Sequence, residues 1–488
     1  MGLSDGALLR VLRSLMMVEG ERLSYRTLDV EQIGSVYETV MGFTVQSAEG
    51  QSLAIKAGKN NKVPVFVDLT SLLAKKADAR LKSLKVDFGR SQLTANQKRD
   101  IKAAKSIDDL AAALDGIADE RGSPGRRQVA TGTPILQPTD ERRRTGSHYT
   151  PRSLTEPIVR HALEPAFDRL APDAKPDDVL ALKVCDPAMG SGAFLVEACR
   201  TLANRLVQAW VRWPEAKPTI PPDEDDELHA RRLVAQRCLY GVDKNHMATD
   251  LAKLSLWLAT LARDHEFTFL DHALRTGDSL VGLSRAQLGA MHWDATQAPT
   301  FISKEIEEEL KKAEAEREKI RASAESKTET ELTPLMRAAD AASAAARMLG
   351  GAIIACFFEH TNNRARIEAL VELQKVAMNA LGKPVWQSAF APLAATLRRG
   401  EHPMQPFHWE LEFPEVFDRK NPGFDAIVGN PPFAGKNTIA AGNRAAYPQW
   451  LQTLHVGAHG NADLVAHFYR RAFGLLRRGG VFGLIATN

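Results

Sequence analysis

Asn430-Pro431-Pro432-Phe433 places an amide side chain, two residues without a backbone N–H and an aromatic ring in four consecutive positions. The apolar run Phe424 to Val428 reads as a short buried strand. Asn430 therefore falls just past a strand's carboxyl end, where open α/β sheets bind ligands. Two consecutive prolines fix the backbone, so the loop neither prolongs the strand nor starts a helix at once. The result is a rigid shelf of acceptors beside a stacking face, suited to a flat polar group such as a nucleobase. A strand-ending turn with a core phenylalanine would use the same letters, so the upstream chain decides.

Upstream, two acids close apolar strands and a third sits in a turn. Leu182 to Asp186 is an apolar strand closed by an acid, followed by Pro187-Ala188-Met189-Gly190-Ser191-Gly192 and a helix from Phe194. Glycines at such a turn let a ligand approach the backbone, and the acid accepts bonds from ammonium or hydroxyl groups. The pattern is not GxGxxG, and an acid in the turn suits a zwitterionic or cationic ligand better than a pyrophosphate. Cys238 to Asp243 is a second strand ending in an acid, the position that binds ribose hydroxyls in such folds. Asp278, in Gly277-Asp278-Ser279-Leu280, is a third, although alone it would pass for a turn former. Before them all, Thr150 is expected to cap a helix that opens with Pro151 and runs to about Leu170. Such a helix start presents N–H groups and a hydroxyl to a carboxylate.

The elements that position these residues divide the chain into four parts. Residues 1–140 are expected to form a mixed docking or scaffold domain. It has helical spacing over Leu8–Met17 and Leu28–Met41, and a strand–turn–strand in which Leu53–Ala57 and Val63–Leu69 bracket 58–61. No Asp followed by a Glu-x-Lys triplet suggests a nuclease there. Residues 121–147 read as an exposed linker. Residues 141–300 are the first α/β half, with a buried helix over Met247–Ala262 and a third strand expected at Phe267–Leu270. From 301 to 400 the α/β rhythm stops: Ile302, Ile306, Leu310, Ala313 and Ile320 line one face of a charged helix, expected as an exposed amphipathic or coiled-coil insertion. Residues 401–488 resume the α/β pattern. There Asn437–Asn443 reads as a mobile small-residue segment, Asp463–Leu476 as a helix and Gly480–Thr487 as a buried strand.

Composition sets the outer limits. The chain has 488 residues, 44% hydrophobic and 25% charged, ordinary for globular domains. Its four cysteines form no CxxC pair, which argues against a zinc site or disulfide framework and fits a reducing cytoplasm. The longest strongly apolar run, Met348 to Phe358, is well short of a bilayer span, and the first residues do not show the charged, apolar and small-residue order of a signal peptide. A net charge of +3 is uninformative. After Asn430, however, Lys436, Arg444, Arg470, Arg471, Arg477 and Arg478 face one acid, Asp463, a balance that suits phosphates.

Taken in order, His148-Tyr149-Thr150-Pro151, Asp186 to Phe194, Asp243, Asp278 and Asn430 to Phe433 resemble the motifs of gamma-class S-adenosylmethionine-dependent DNA adenine-N6 methyltransferases. The large methylases of type IIG restriction-modification and of phage-exclusion systems such as BREX and DISARM are most similar. The resemblance spans about Arg144 to Asn488 and implies a Rossmann-like methyltransferase sheet, double-stranded DNA as substrate, no metal and no membrane, and other defence-system or restriction subunits as partners. By that resemblance Thr150, between Tyr149 and Pro151, would hold the carboxylate of S-adenosylmethionine. Asp186, Ala188, Gly190 and Gly192 would surround its methionine part, Asp243 its ribose and Asp278 its adenine. Asn430 and the Pro431 carbonyl would accept both N6 hydrogens of a flipped adenine, with Pro432 stiffening the loop and Phe433 stacking on the base. Such families continue with further strands and a target-recognition domain, so the chain reads as the N-terminal part of a larger methylase, with weak or no activity alone. The rival readings are a protein-glutamine methyltransferase, whose Asn-Pro-Pro-aromatic loop grips a planar amide, and a non-catalytic scaffold subunit of a defence complex.

Overall fold

The computed structural model describes residues 5–18, 21–22, 32, 34, 42–57, 62–90, 92–138, 150–220, 224–260, 269–323, 329–380 and 386–486. The chain divides into two compact units, Glu38–Arg143 and a larger one of Met1–Tyr37 with Arg144–Asn488.

In the smaller unit Ser52–Ala57 pairs antiparallel with Val63–Asp68, as their alternation predicts; the turn at 58–61 and most of Leu28–Met41 lie outside the described residues. Leu53, Ile55 and Val67 pack on Leu84, Ile101 and Leu110. Asp68 caps the next helix, Leu69–Ala74, by accepting the Ser71 N–H at 3.1 Å. Residues 121–147 are not simply a linker. Pro134–Pro138 forms a strand paired with Phe43–Ser47, a long-range partner that local composition does not disclose.

The larger unit is built on five parallel strands: β1 (Val184–Asp186), β2 (Leu239–Asp243), β3 (Leu274–Thr276), β4 (Phe424–Gly429) and β5 (Leu476–Leu484). Their spatial order is β5-β4-β1-β2-β3, so the direction of winding reverses between β1 and β4. At that point the strands' carboxyl ends open a crevice. Successive residues point to opposite faces. Val184, Leu239, Ala426 and Val428 meet the layer formed by α1 (Arg152–Asp168), α2 (Ala193–Arg212), α3 (Asp226–Arg237) and α4 (His246–Ala259). The third strand is Leu274–Thr276 rather than Phe267–Leu270. Residues 267 and 268 lie outside the described residues, and the Leu270 carbonyl accepts the N–H groups of Ala273 and Leu274, which makes a turn there instead of a ladder.

The insertion contains α5 (Ser303–Ser323), α6 (Glu329–Ala342), α7 (Ala344–Phe358) and α8 (Asn363–Ala380). Its apolar stripe is not exposed. Ile302, Ile306 and Leu310 enter the core beside Ile353 and Phe357 of α7, and Ile320 packs with Phe269, Leu332 and Met336. Arg317 of α5 grips Glu415 through two bonds of 2.8 and 2.7 Å and donates to the His272 carbonyl, which ties the insertion to the sheet domain. Among the described residues no single helix is long and apolar enough to cross a membrane.

After β4 come α9 (Lys436–Gly442), α10 (Tyr447–Leu454) and α11 (Leu464–Leu475). Asn437–Asn443 is thus mainly helical; Ile439, buried at 3% exposure, anchors the turn that its small neighbours permit. Cys185, Tyr240, Val242 and Ile427 face α11 and the segment from Phe407 to Val416, so both faces of the sheet are covered. Strand β5 begins at Leu476 and is only half-covered, with Phe482 38% exposed, where its apolar letters suggested full burial.

Candidate active site

The turn after β1 is held from two sides. Asp186 is buried and accepts the Ala188 N–H at 3.0 Å, while the Gly190 N–H donates to Asp243 Oδ2 at 2.9 Å. Asp243, half-buried at the end of β2, also accepts the Asn245 N–H at 2.8 Å. Gly190 has φ +53° and a Cβ there would meet nothing within 4 Å, so the turn's backbone borders open space. Gly192, with φ +84°, starts α2 against Ala252. Burial pushes the Asp186 carboxyl up to about 8, the nearby Asp243 adding to it, and only the Ala188 N–H opposes the shift. Burial likewise raises Asp243, to about 6, against the two backbone donors it accepts from.

Across the switch point, β4 ends at Gly429, so close to Asp186 that a Cβ there would fall 2.6 Å from Oδ1. Asn430 follows. Its Nδ2 donates to Thr150 Oγ1 at 3.1 Å, across 280 positions of sequence, and its buried Oδ1 has no hydrogen-bond partner among the described residues. A buried acceptor left unmatched costs about 1–3 kcal/mol, which a donating ligand would recover. Pro431 is buried, and Pro432 and Phe433 are half-buried; Phe433 takes no part in the ring contacts among the described residues.

Thr150 is not the cap of α1. Pro151, extended at ψ 150°, occupies that position and its carbonyl accepts the Leu154 and Thr155 N–H groups. The Thr150 hydroxyl is thereby free of the helix and meets Asn430, a role that the spacing could not reveal. Tyr149 lies outside the described residues.

Asp278 sits in the turn after β3. Ser279 Oγ in the same turn donates to the Pro187 carbonyl at 2.5 Å, which joins this turn to the one after β1. The Asp278 carboxylate accepts the Leu280 N–H at 3.1 Å and the Tyr447 hydroxyl, 3.1 Å from both oxygens, and Lys244 Nζ lies 3.2 Å away. Burial and the Asp278 charge push the Tyr447 phenol well up, so it stays a donor. Tyr447, Lys244 and Ser279 were not singled out by sequence; Lys244 follows Asp243 directly, but Tyr447 carries no motif. Among the described residues no three His, Cys, Asp or Glu side chains are grouped to hold a metal.

This arrangement agrees with the comparisons to known proteins. Residues 137–331, which include β1, β2 and β3, match the model described as N-6 DNA Methylase. Residues 237–488, more than half of the chain, match the model described as Eco57I restriction-modification methylase, and the chain belongs to that family. A predicted type II restriction enzyme and methyltransferase of Methanocaldococcus jannaschii is 22% identical over 360 residues, covering 59% of this chain and 28% of that protein. The type II restriction enzyme and methyltransferase RM.Eco57I of Escherichia coli is 26% identical over 133 residues, or 27% of this chain and 13% of its own length. The chain thus matches less than a third of either relative.

Proposed function

We propose that the chain binds S-adenosylmethionine in a Rossmann-like sheet and methylates N6 of an adenine turned out of double-stranded DNA, within a restriction-modification system. The observation that carries this reading is Asn430, with its buried, unmatched Oδ1, at the switch point beside Asp186. The residues fit the donor. Asp186, protonated at neutral pH in the free protein, gains most from a cationic partner, and the ammonium of the donor's methionine part is one. Gly190 leaves the turn open to it and Gly192 lets α2 start close against Ala252, while Asp243 would accept from its ribose and Asp278 from its adenine. Thr150 has used one lone pair on Asn430, so its hydroxyl hydrogen remains to donate to the donor's carboxylate.

When bound, S-adenosylmethionine supplies an electrophilic methyl group on a sulfonium. The protein's part is to bind and orient the base. Asn430 Oδ1 and the Pro431 carbonyl would accept the two N6 hydrogens, which favours a tetrahedral nitrogen with a localised lone pair. With Asn430 Nδ2 donating to Thr150 Oγ1, the amide oxygen would be the atom left for the base. Phe433 would stack on the ring and exclude water from one side.

Incubation with methyl-labelled donor and DNA, followed by nucleoside chromatography, tests this. N6-methyladenine should carry the label and Asn430→Ala should remove it; label on peptide glutamine but not on DNA would replace the reading with amide methyl transfer.

A further inference from the structure

We infer that Lys244 is a positioning residue that couples binding of the methyl donor to binding of the base, by tying Asp278 to the segment that follows Asn430–Phe433; this rests on the function proposed above. Lys244 extends from the end of β2, next to Asp243. Its ammonium lies 3.2 Å from Asp278 Oδ2, donates to Asn443 Oδ1 at 2.7 Å and sits 5.3 Å from the centre of the Tyr447 ring. One side chain thus touches the donor-side acid and two residues beyond the base-gripping loop.

A carboxylate offers about four acceptor sites. The Leu280 N–H, Tyr447 and Lys244 use three of those on Asp278, which leaves one for an incoming amine without breaking the hub. On the far side, Asn443 closes α9 by donating from Nδ2 to the Ile439 carbonyl at 3.0 Å, and α9 starts directly after the NPPF loop. The next residue, Arg444, is clamped to the insertion through Glu359 and the Thr396 and Leu397 carbonyls. The segment is therefore fixed on its insertion side, and its donor-side anchor runs through Lys244 and Tyr447. A ligand that draws on Asp278 acts on that anchor, and a base that seats against the NPPF loop acts on it from the other end. Binding free energies coupled in this way are reciprocal. The Lys244 side chain is 43% exposed, and the buried Asp278 keeps the Leu280 N–H and the Tyr447 hydroxyl when Lys244 is replaced, so the domain should stay folded.

The test is calorimetric titration of the 488-residue chain with S-adenosylhomocysteine, a non-reacting analogue of the donor, with and without an adenine-containing single-stranded oligonucleotide. The oligonucleotide should tighten ligand binding about five- to tenfold in the unmodified chain. Lys244→Met and Asn443→Ala should each bring that ratio to about one, and together no further, while affinity without oligonucleotide changes less than about threefold. Lys244→Arg should restore most of the ratio. A ratio of one in the unmodified chain, or an unmodified ratio in both variants, overturns the coupling and leaves the proposed function standing. Failure of the unmodified chain to bind the ligand at all overturns the proposed function and the coupling with it.

Discussion

The two ends of the sheet treat buried acids in opposite ways. Beneath it and along its flank, three buried acids are matched by arginine. Asp425, near the start of β4, meets Arg419 and Arg477, Glu415 meets Arg317, and Glu412 is held by Arg347 and Arg275. Burial alone would raise Glu412, yet Arg347 and Arg275 bring it down to about 2. At the carboxyl ends, Asp186 has one backbone donor and rises to about 8, and Asp243 has two and rises to about 6. The lower acids are offset by arginine, whereas Asp186 and Asp243 accept only from backbone N–H groups among the described residues and keep acceptor capacity beside the open turn at Gly190. Such capacity is expected of a binding site and is wasteful in a scaffold.

Four experiments press on that contrast. The largest effect is expected from Asn430→Ala, which should lower methyl transfer about 10²–10³-fold while donor affinity stays within about threefold. Equal losses of transfer and donor affinity would move Asn430 to the donor side and blur the division of labour. Near the start of β3, Arg317→Met takes from the buried Glu415 the arginine that holds both of its oxygens and should cost about 3–5 kcal/mol in denaturant unfolding, most of it recovered by adding Glu415→Leu. If the single variant is as stable as the parent, the lower acids are not fasteners.

A third experiment compares the two ends through pH. The folded Asp186 keeps its proton to about pH 8, while the unfolded carboxyl ionises near pH 4. Ligand-free stability is therefore lost as pH rises across that window, and Asp186→Asn should stabilise the protein at pH 8 by on the order of a few kcal/mol, with little effect at pH 4. Glu412 has the opposite sign: its contribution is in place above the ordinary carboxylate range and disappears as pH falls through about 2. Denaturant melts at several pH values would show both slopes, and a flat profile for Asp186→Asn relative to a flat parent would contradict the first. The smallest effect is expected from Thr150→Val, which removes the acceptor that orients Asn430 and should lower kcat/KM about five- to tenfold, equivalent to about 1 kcal/mol.

Much of this site was legible because strand ends announce themselves. Asp186 and Asn430 each follow an apolar run at a Gly- or Pro-bearing turn, Asp243 closes one before Lys244-Asn245, and the strands fell where the runs predicted. What escaped depends on distant partners. Thr150 looks like a helix cap in its own neighbourhood, and only the 280-residue contact with Asn430 assigns its hydroxyl elsewhere. Tyr447 is an unremarkable helix start until Asp278 is beside it. Strand β3 was misplaced because its three residues, Leu274–Thr276, are too few for a periodicity, and the apolar Phe269–Leu270 ahead of them buries its side chains without joining the ladder. The stripe on α5 was read correctly as one-sided but assigned to solvent, since a sequence does not say what lies opposite.

The central claim is that Asp186 is held protonated in the free protein so as to receive a cationic donor. Calorimetry with S-adenosylmethionine at pH 7, in two buffers of different ionisation enthalpy, tests it directly. Binding accompanied by release of up to one proton is predicted, with no proton release and at least tenfold weaker binding in Asp186→Asn. Unchanged affinity in Asp186→Asn, or binding with no proton released by the parent chain, would contradict it.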